Sequence, residues 1–268
     1  MPVTTAPPVS RIERVRVGDV RAMAALMRDI DDARPGVGAE LAELATGVGG
    51  GARAFVVGFT GPPGAGKSTL VDGILERLRA RGERVGVVLV DPSSPRAGGA
   101  ILGDRVRMQR HATDPGVFIR SLASRGALGG LSRAVGGVVA VLGAGGFSTV
   151  LLETVGVGQS EMDVAQVADV TVLVTVPGLG DAIQTMKAGV IEVADLIALN
   201  KADRPGADEA MRDLESMLDL RRLTSGERSG ATATPEARVL PVVALTGEGV
   251  DALVAALDGL RAASHPAP

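Results

Sequence analysis

The sequence predicts an α/β protein built on a doubly wound, mostly parallel sheet, and three observations predict it. Continuous apolar runs of strand length recur along the chain, several ending in a polar residue. Segments of helical apolar spacing alternate with them. One run, Ala54 to Phe59, leads straight into Gly61-Pro62-Pro63-Gly64-Ala65-Gly66-Lys67-Ser68-Thr69 and then into an amphipathic segment from Leu70. Runs buried on both faces mark parallel strands, and their alternation with helices places a helical layer on each side of one sheet.

Taken in order, residues 1–9 are Pro/Thr-rich and read as a disordered N-terminus. Residues 10–50 read as a helical extension, with helices from Gly18 to Ile30 and from Gly38 to Leu44 separated by Arg34-Pro35-Gly36. The main domain is expected over 51–262. After the first strand and its loop, Leu70, Ile74, Leu75 and Leu78 keep helical spacing until Arg81-Gly82. Val85 to Val90 ends in Asp91, Val117 to Arg120 follows, and Leu131 to Leu142 comes next. Phe147 to Leu152 ends in Glu153, Val170 to Val176 is another strand, and Leu196 to Leu199 ends in Asn200. A helix from Asp208 to Leu220 precedes a Ser/Gly/Thr/Ala-rich loop, Thr224 to Pro235. A last strand, Val239 to Leu245, and a last helix, Val250 to Leu260, lead to a tail over 263–268.

Composition narrows the function. A net charge of −3 with both signs interspersed offers no basic face for nucleic acid. Cysteine is absent and only His111 and His265 are present, which removes disulfides, thiolate metal sites and most of a soft-metal donor set. Glycine interrupts each long apolar run short of a membrane span, and no apolar leader follows Arg11 and Arg14, so a cytoplasmic protein is expected. With four Phe and no Tyr or Trp, the core must be aliphatic and stacking on bases is disfavoured.

The spacing G-x-x-x-x-G-K-[ST] from Gly61 to Ser68 is a phosphate loop: backbone N–H groups cradle phosphates, Lys67 reaches the terminal ones, and the Ser68 hydroxyl holds magnesium. The chain has only three lysines, Lys67, Lys187 and Lys201, so composition rarely puts one after Gly66 by chance. A compact ammonium suits a narrow nest of amides better than a planar guanidinium does.

Three more polar clusters fall at strand ends, where a doubly wound sheet gathers ligand groups. Asp91, with Asp104 in the loop beyond it, supplies carboxylates suited to magnesium; the alternative role for Asp104 is a solvated turn residue. Glu153-Thr154-Val155-Gly156 pairs a strand-end acid with a glycine that lets backbone approach a γ-phosphate. Glu153 is one methylene longer than the more usual Asp, consistent with a contact through water. In Asn200-Lys201-Ala202-Asp203, the carboxylate can accept from the N1–H and the exocyclic amine of guanine, while the Lys201 stem lies along the purine. The alternative role for Asp203 is a helix N-cap.

These clusters, in this order, resemble the MeaB/ArgK family of GTPases, chaperones of adenosylcobalamin-dependent acyl-CoA mutases such as methylmalonyl-CoA mutase. The resemblance runs from Arg16 to about Leu260 and includes Gly18-Asp19-Val20-Arg21-Ala22, Phe118-Ile119-Arg120, Val157-Gly158-Gln159-Ser160-Glu161, Pro177-Gly178 with Gly180-Asp181, and Leu245-Thr246-Gly247-Glu248-Gly249. It implies a P-loop GTPase of the SIMIBI class that takes GTP/GDP and Mg2+. Lys67 and the amides of Gly61, Gly64, Ala65, Gly66, Ser68 and Thr69 would hold phosphates. Ser68, Asp91, Asp104 and Glu153 would surround magnesium, and Asn200, Lys201, Asp203, Ala244 and Leu245 would form the base site. Lys67, Asp91, Asp104 and Gly156 are the expected catalytic set. The implied partner is an adenosylcobalamin-dependent acyl-CoA mutase, with nucleotide state gating cofactor delivery and protection of that enzyme.

The chain departs from the family at Ala97, Arg105-Val106, Ser121-Leu122-Ala123 and Val243. It also ends soon after the last core helix, where members commonly continue into a dimerisation arm, so a homodimer is a weaker expectation than nucleotide binding. Val157, not Gln, follows Gly156, which leaves Asp91, Asp104 and Gln159 as candidates to orient water and predicts slow hydrolysis without a partner. Other readings are a small-molecule P-loop kinase, a catalytically quiet nucleotide-binding module, and a metallocentre-loading GTPase of related fold, which would want Cys and His ligands that this sequence lacks.

Overall fold

A computed structural model describes residues 9–46, 53–92, 108–124, 130–154, 165–178, 192–225 and 237–264. Seven strands form one sheet: β1 (Phe55–Thr60), β2 (Val85–Pro92), β3 (Val117–Ser124), β4 (Thr149–Thr154), β5 (Val170–Thr175), β6 (Leu196–Asn200) and β7 (Arg238–Val242). Their order across the sheet is β3-β2-β4-β1-β5-β6-β7, and every neighbouring pair is parallel. The described helices are α1 (Arg11–Arg16), α2 (Val20–Asp31), α3 (Val37–Thr46), α4 (Lys67–Ala80), α5 (Gly130–Ala144), α6 (Ala207–Ser225) and α7 (Val250–Ser264). The expected doubly wound sheet is therefore what forms.

The unbroken apolar runs have a direct cause, because alternate side chains of each strand enter different cores. Phe55, Val57 and Phe59 of β1 pack with Leu70, Ile74 and Leu78 of α4 and with Leu253 and Leu257 of α7. Val56 of β1, with Val88 and Val90 of β2, faces the opposite layer beside Met23, Leu26 and Met27 of α2 and Val138 and Leu142 of α5. Leu173, Ile197 and Val239 cover α6 through Leu214 and Leu218. Each such side chain contributes about 1.5–3 kcal/mol of transfer free energy.

The N-terminal region has three helices where apolar spacing predicts two. The extra one, α1, has only Ile12 and Val15 buried, too few to show a period. It is held by polar contacts instead: Ser10 and Glu13 form a capping box, and Arg11 donates to Asp29 of α2 (2.5 Å) and to Glu40 of α3 (2.8 Å). That Arg11 hydrogen bond, opposed by some desolvation, holds the Asp29 carboxyl below its ordinary range. The three helices lie on α5, where a glycine permits the approach: a Cβ at Gly137 would sit 3.1 Å from Ile30 Cγ2 of α2 and 3.3 Å from Leu41 Cδ1 of α3.

Two aspartates extend the sheet by one rung each. Asp169, just before β5, donates its N–H to the Val56 carbonyl (2.9 Å) and accepts the Val56 N–H on its carboxylate (2.8 Å). Asp195, just before β6, does the same with Thr171 (2.9 and 2.7 Å). Burial pushes the Asp195 carboxyl up, against the pull of the Thr171 N–H and of Arg221. These pairs fix the register of β1, β5 and β6, and so the level at which their polar C-terminal ends emerge.

Several boundaries differ from expectation for identifiable reasons. β3 continues to Ser124 because its whole length pairs with β2, ending with Pro92 opposite Ser124. β7 stops at Val242, because Thr246 N–H and Gly247 N–H both turn back to the Val243 carbonyl (3.1 and 2.9 Å). α6 runs through Thr224 to Ser225, and α7 reaches Ser264, past the expected start of the tail. The rest of the expected mobile loop, from residue 226 to Pro235, lies outside the described residues, as do residues 1–8.

Candidate nucleotide site

At the C-terminal end of the sheet, β1 gives way to the phosphate loop at a point where only glycine fits. Gly61 has φ +138°, and a Cβ there would lie 2.0 Å from the Val174 carbonyl oxygen of β5. Gly66 is left-handed (φ +93°), and a Cβ there would lie 2.3 Å from Asn200 Nδ2. The helix starts at Lys67, three residues earlier than its apolar spacing suggests, and no side chain caps it. Its first-turn N–H groups, at Lys67, Ser68 and Thr69, therefore lack an intrahelical acceptor and form an anion-binding end.

Lys67 is 6% exposed, and its ammonium donates to the carbonyls of Gly61 (2.7 Å) and Pro62 (3.1 Å). The cation is thus folded over the loop. Ser68 Oγ donates to Glu153 Oε1 at 2.6 Å. Glu153 is 2% exposed at the end of β4, in register with Phe59 of β1 and Leu89 of β2. The Glu153 side chain is long enough to reach Ser68 directly. A hydroxyl and a carboxylate converging at this distance are hard oxygen donors of the kind magnesium takes, so these two residues fit that ion. Among the described residues no group of three or more His, Asp or Glu gathers as a metal site.

Asn200 joins three loops. Its Nδ2 donates to the Ala65 carbonyl of the phosphate loop (2.7 Å), while its Oδ1 accepts from Lys201 N–H (2.8 Å) and Ala244 N–H (2.9 Å). Lys201 holds a left-handed conformation (φ +59°) rare for a side chain of its size, and its Nζ donates to the Gly64 carbonyl (2.8 Å). Asp203 is exposed, and α6 begins only at Ala207 after Gly206. The N-cap alternative for Asp203 is therefore set aside. Leu245 is 88% exposed, and its N–H meets no acceptor among the described residues.

Of the expected site residues, Gly61, Gly64, Ala65, Gly66, Lys67, Ser68, Thr69, Glu153, Asn200, Lys201, Asp203, Ala244 and Leu245 gather at this end of the sheet. Asp91 is placed by its backbone at the end of β2, opposite Ala123. Asp104, Gly156 and Gln159 lie outside the described residues. Sequence reasoning missed two buried hydroxyls, Thr60 and Thr175 at the ends of β1 and β5, which have no hydrogen-bond partner among the described residues. Their only signals were a threonine just after the run Ala54 to Phe59 and one just inside the end of the run Val170 to Val176.

A phosphate loop, a buried strand-end carboxylate and an Asn-Lys-x-Asp turn tied to that loop, all on a parallel sheet, define a P-loop guanine-nucleotide protein. Residues 32–265 match the family described as methylmalonyl-CoA mutase-associated GTPase MeaB, and the chain belongs to that family. It is 49% identical over 244 residues to a GTPase of Pyrococcus horikoshii, covering 90% of this chain and 74% of the other. It is 39% identical over 196 residues to the mouse mitochondrial methylmalonic aciduria type A homolog, covering 73% of this chain and 46% of that protein. A crystal structure of a LAO/AO transport system kinase superposes with a TM-score of 0.68 at 27% identity, over 95% of this chain and 76% of that one. The chain thus spans between about half and three quarters of these proteins.

Replacing Ser68 by Ala is expected to raise the magnesium concentration at which GDP binding is half-maximal by about 10- to 100-fold, and to lower the melting temperature of the nucleotide-free protein because the buried Glu153 carboxylate loses a donor. Titrating magnesium against a fluorescent GDP analogue measures it. An unchanged midpoint would remove Ser68 from the metal site.

Proposed function

We propose that this chain binds GTP with magnesium, hydrolyses it to GDP and phosphate, and uses the two nucleotide states to gate adenosylcobalamin loading and protection of an acyl-CoA mutase. The observation that carries the reading is Asn200, which locks the phosphate loop, the Asn-Lys-x-Asp turn and the Ala244 loop into one unit. Phosphates and base are thereby presented with fixed geometry, which is how positioning lowers a phosphoryl-transfer barrier. The family description, which names a mutase, supports the choice of partner.

In this mechanism Lys67 exchanges the carbonyls of Gly61 and Pro62 for β- and γ-phosphate oxygens, while the first-turn amides of α4 hold the phosphates. Ser68 and Glu153, with Asp91 and Asp104, would hold magnesium, which would supply positive charge to the phosphates. Gly156 lets backbone approach the γ-phosphate. Asp203 accepts from the guanine N1–H and 2-amino group, and the Leu245 N–H points its donor at the C6 carbonyl. Adenine offers an amine at C6 and no N1–H, so it would leave both groups unpaired.

Asp203→Asn is expected to weaken GDP binding by roughly 100-fold and to shift preference toward xanthosine diphosphate, since the amide replaces one acceptor with a donor. Competition among GDP, XDP and ADP measures this, and equal affinity of the unmodified protein for ADP and GDP would sink the assignment. The gate is tested by phosphate release with and without purified acyl-CoA mutases. A slow rate that rises with one mutase supports it, and a fast rate that no mutase changes refutes it. GTP consumed without phosphate release would mark a kinase instead.

A further inference from the structure

Arg77 lies in α4, ten residues after Lys67 and facing α7, and all three of its nitrogens are engaged. Nη2 donates to the Gly247 carbonyl (3.0 Å), Nε to Asp251 Oδ1 at the start of α7 (2.6 Å), and Nη1 to the Gly73 carbonyl of its own helix (3.1 Å). The side chain is 23% exposed, whereas Asp251 is 83% exposed. Gly247 closes the turn that carries Leu245: its N–H bonds back to Val243 (2.9 Å), its φ is +84°, and a Cβ there would lie 2.9 Å from Arg77 Nη2. A planar guanidinium fixed at three points cannot move without moving that turn.

We propose that Arg77 is a positioning residue for guanine recognition, holding the Leu245 turn at a set distance from the phosphates because α4 is the helix that begins at Lys67. The inference rests on the GTP reading above. Among the described residues the turn is also tied on the strand side, by Ala244 N–H to Asn200 (2.9 Å) and by Ala202 N–H to the Val242 carbonyl (3.1 Å). Arg77 supplies the tie from the helix side. With both sides tied the Leu245 N–H is pre-aimed at a base carbonyl, and with one the turn can tilt away.

The test compares GDP and IDP binding in the unmodified protein and in Arg77→Gln, Arg77→Lys and Asp251→Ala. Inosine keeps the C6 carbonyl and lacks only the 2-amino group assigned to Asp203. Arg77→Gln is therefore expected to weaken GDP and IDP by the same factor, about five- to tenfold, leaving their ratio intact. The KM for GTP should rise equally, with kcat at saturation within about twofold. Lysine can bond the Gly247 carbonyl but cannot form the fork, so Arg77→Lys should recover part of the loss. Asp251→Ala, which keeps the Gly247 contact, should change affinity less than twofold, as expected of an exposed ion pair. Unchanged GDP affinity in both Arg77 variants, a fall in kcat without a change in KM, or an Asp251→Ala effect equal to that of Arg77→Gln would each overturn the proposal. Failure of the underlying reading would show separately, as loss of GDP preference over ADP in the unmodified protein.

Discussion

Lys67→Ala is expected to lower the rate of GTP hydrolysis by about 10²–10³-fold, the scale of removing one charge-stabilising donor from a preorganised site. The buried ammonium is held within the loop by carbonyls, Gly61 at 2.7 Å and Pro62 at 3.1 Å, and exchanges them for phosphate oxygens when nucleotide enters. Alanine removes that charge and leaves the loop backbone, its glycines and the α4 amides in place. Nucleotide affinity should therefore fall by a smaller factor than turnover. Single-turnover phosphate release, measured alongside GTP binding, separates the two. Turnover equal to that of the unmodified protein would show that hydrolysis takes place elsewhere.

The second large effect is expected at Asn200. Asn200→Ala strands the Ala65 carbonyl and the N–H groups of Lys201 and Ala244, and removes a side chain that is 3% exposed. Leaving such groups without partners costs about 2–4 kcal/mol, and the three loops lose their common anchor. Both the melting temperature and GDP affinity should drop, the affinity by more than tenfold. Asn200→Asp is the sharper probe, because it keeps an acceptor for the two N–H groups but faces the Ala65 carbonyl with a second acceptor. It should retain more stability than alanine and still bind GDP poorly. Denaturant melts with GDP titrations on both variants decide it, and a variant that binds GDP normally would mean that the loops are held by other contacts.

The sheet, its strand ends and the phosphate loop were legible because each carries a local pattern: apolar runs of strand length, a fixed glycine and lysine spacing, and acids at run ends. Glu153 was found from position alone, and its contact with Ser68 (2.6 Å) follows from the same strand order. What stayed hidden depends on distant residues. Helix α1 carries one local signal, the Ser10-x-x-Glu13 capping box, but is held in place by Arg11, whose partners Asp29 and Glu40 lie in two later helices. The bridging by Asn200 and the grip of Arg77 on Gly247 join segments far apart in the chain, and neither leaves a periodic trace. The true start of α4 was missed for a different reason, since Gly66 and Lys67 begin the helix by loop geometry and not by propensity.

The chain's scarcity of lysine has a chemical consequence. Both lysines among the described residues sit in the nucleotide site, Lys67 nearly sealed by carbonyls and Lys201 partly open with its amine on Gly64. An acylating reagent that finds Lys201 would erase the charge linking base turn and phosphate loop, and a bound purine lying along its stem would shield it. Acylation at that one amine would then act as a chemical reporter of occupancy, read by mass spectrometry on a surface whose other cations are largely arginines that such reagents ignore.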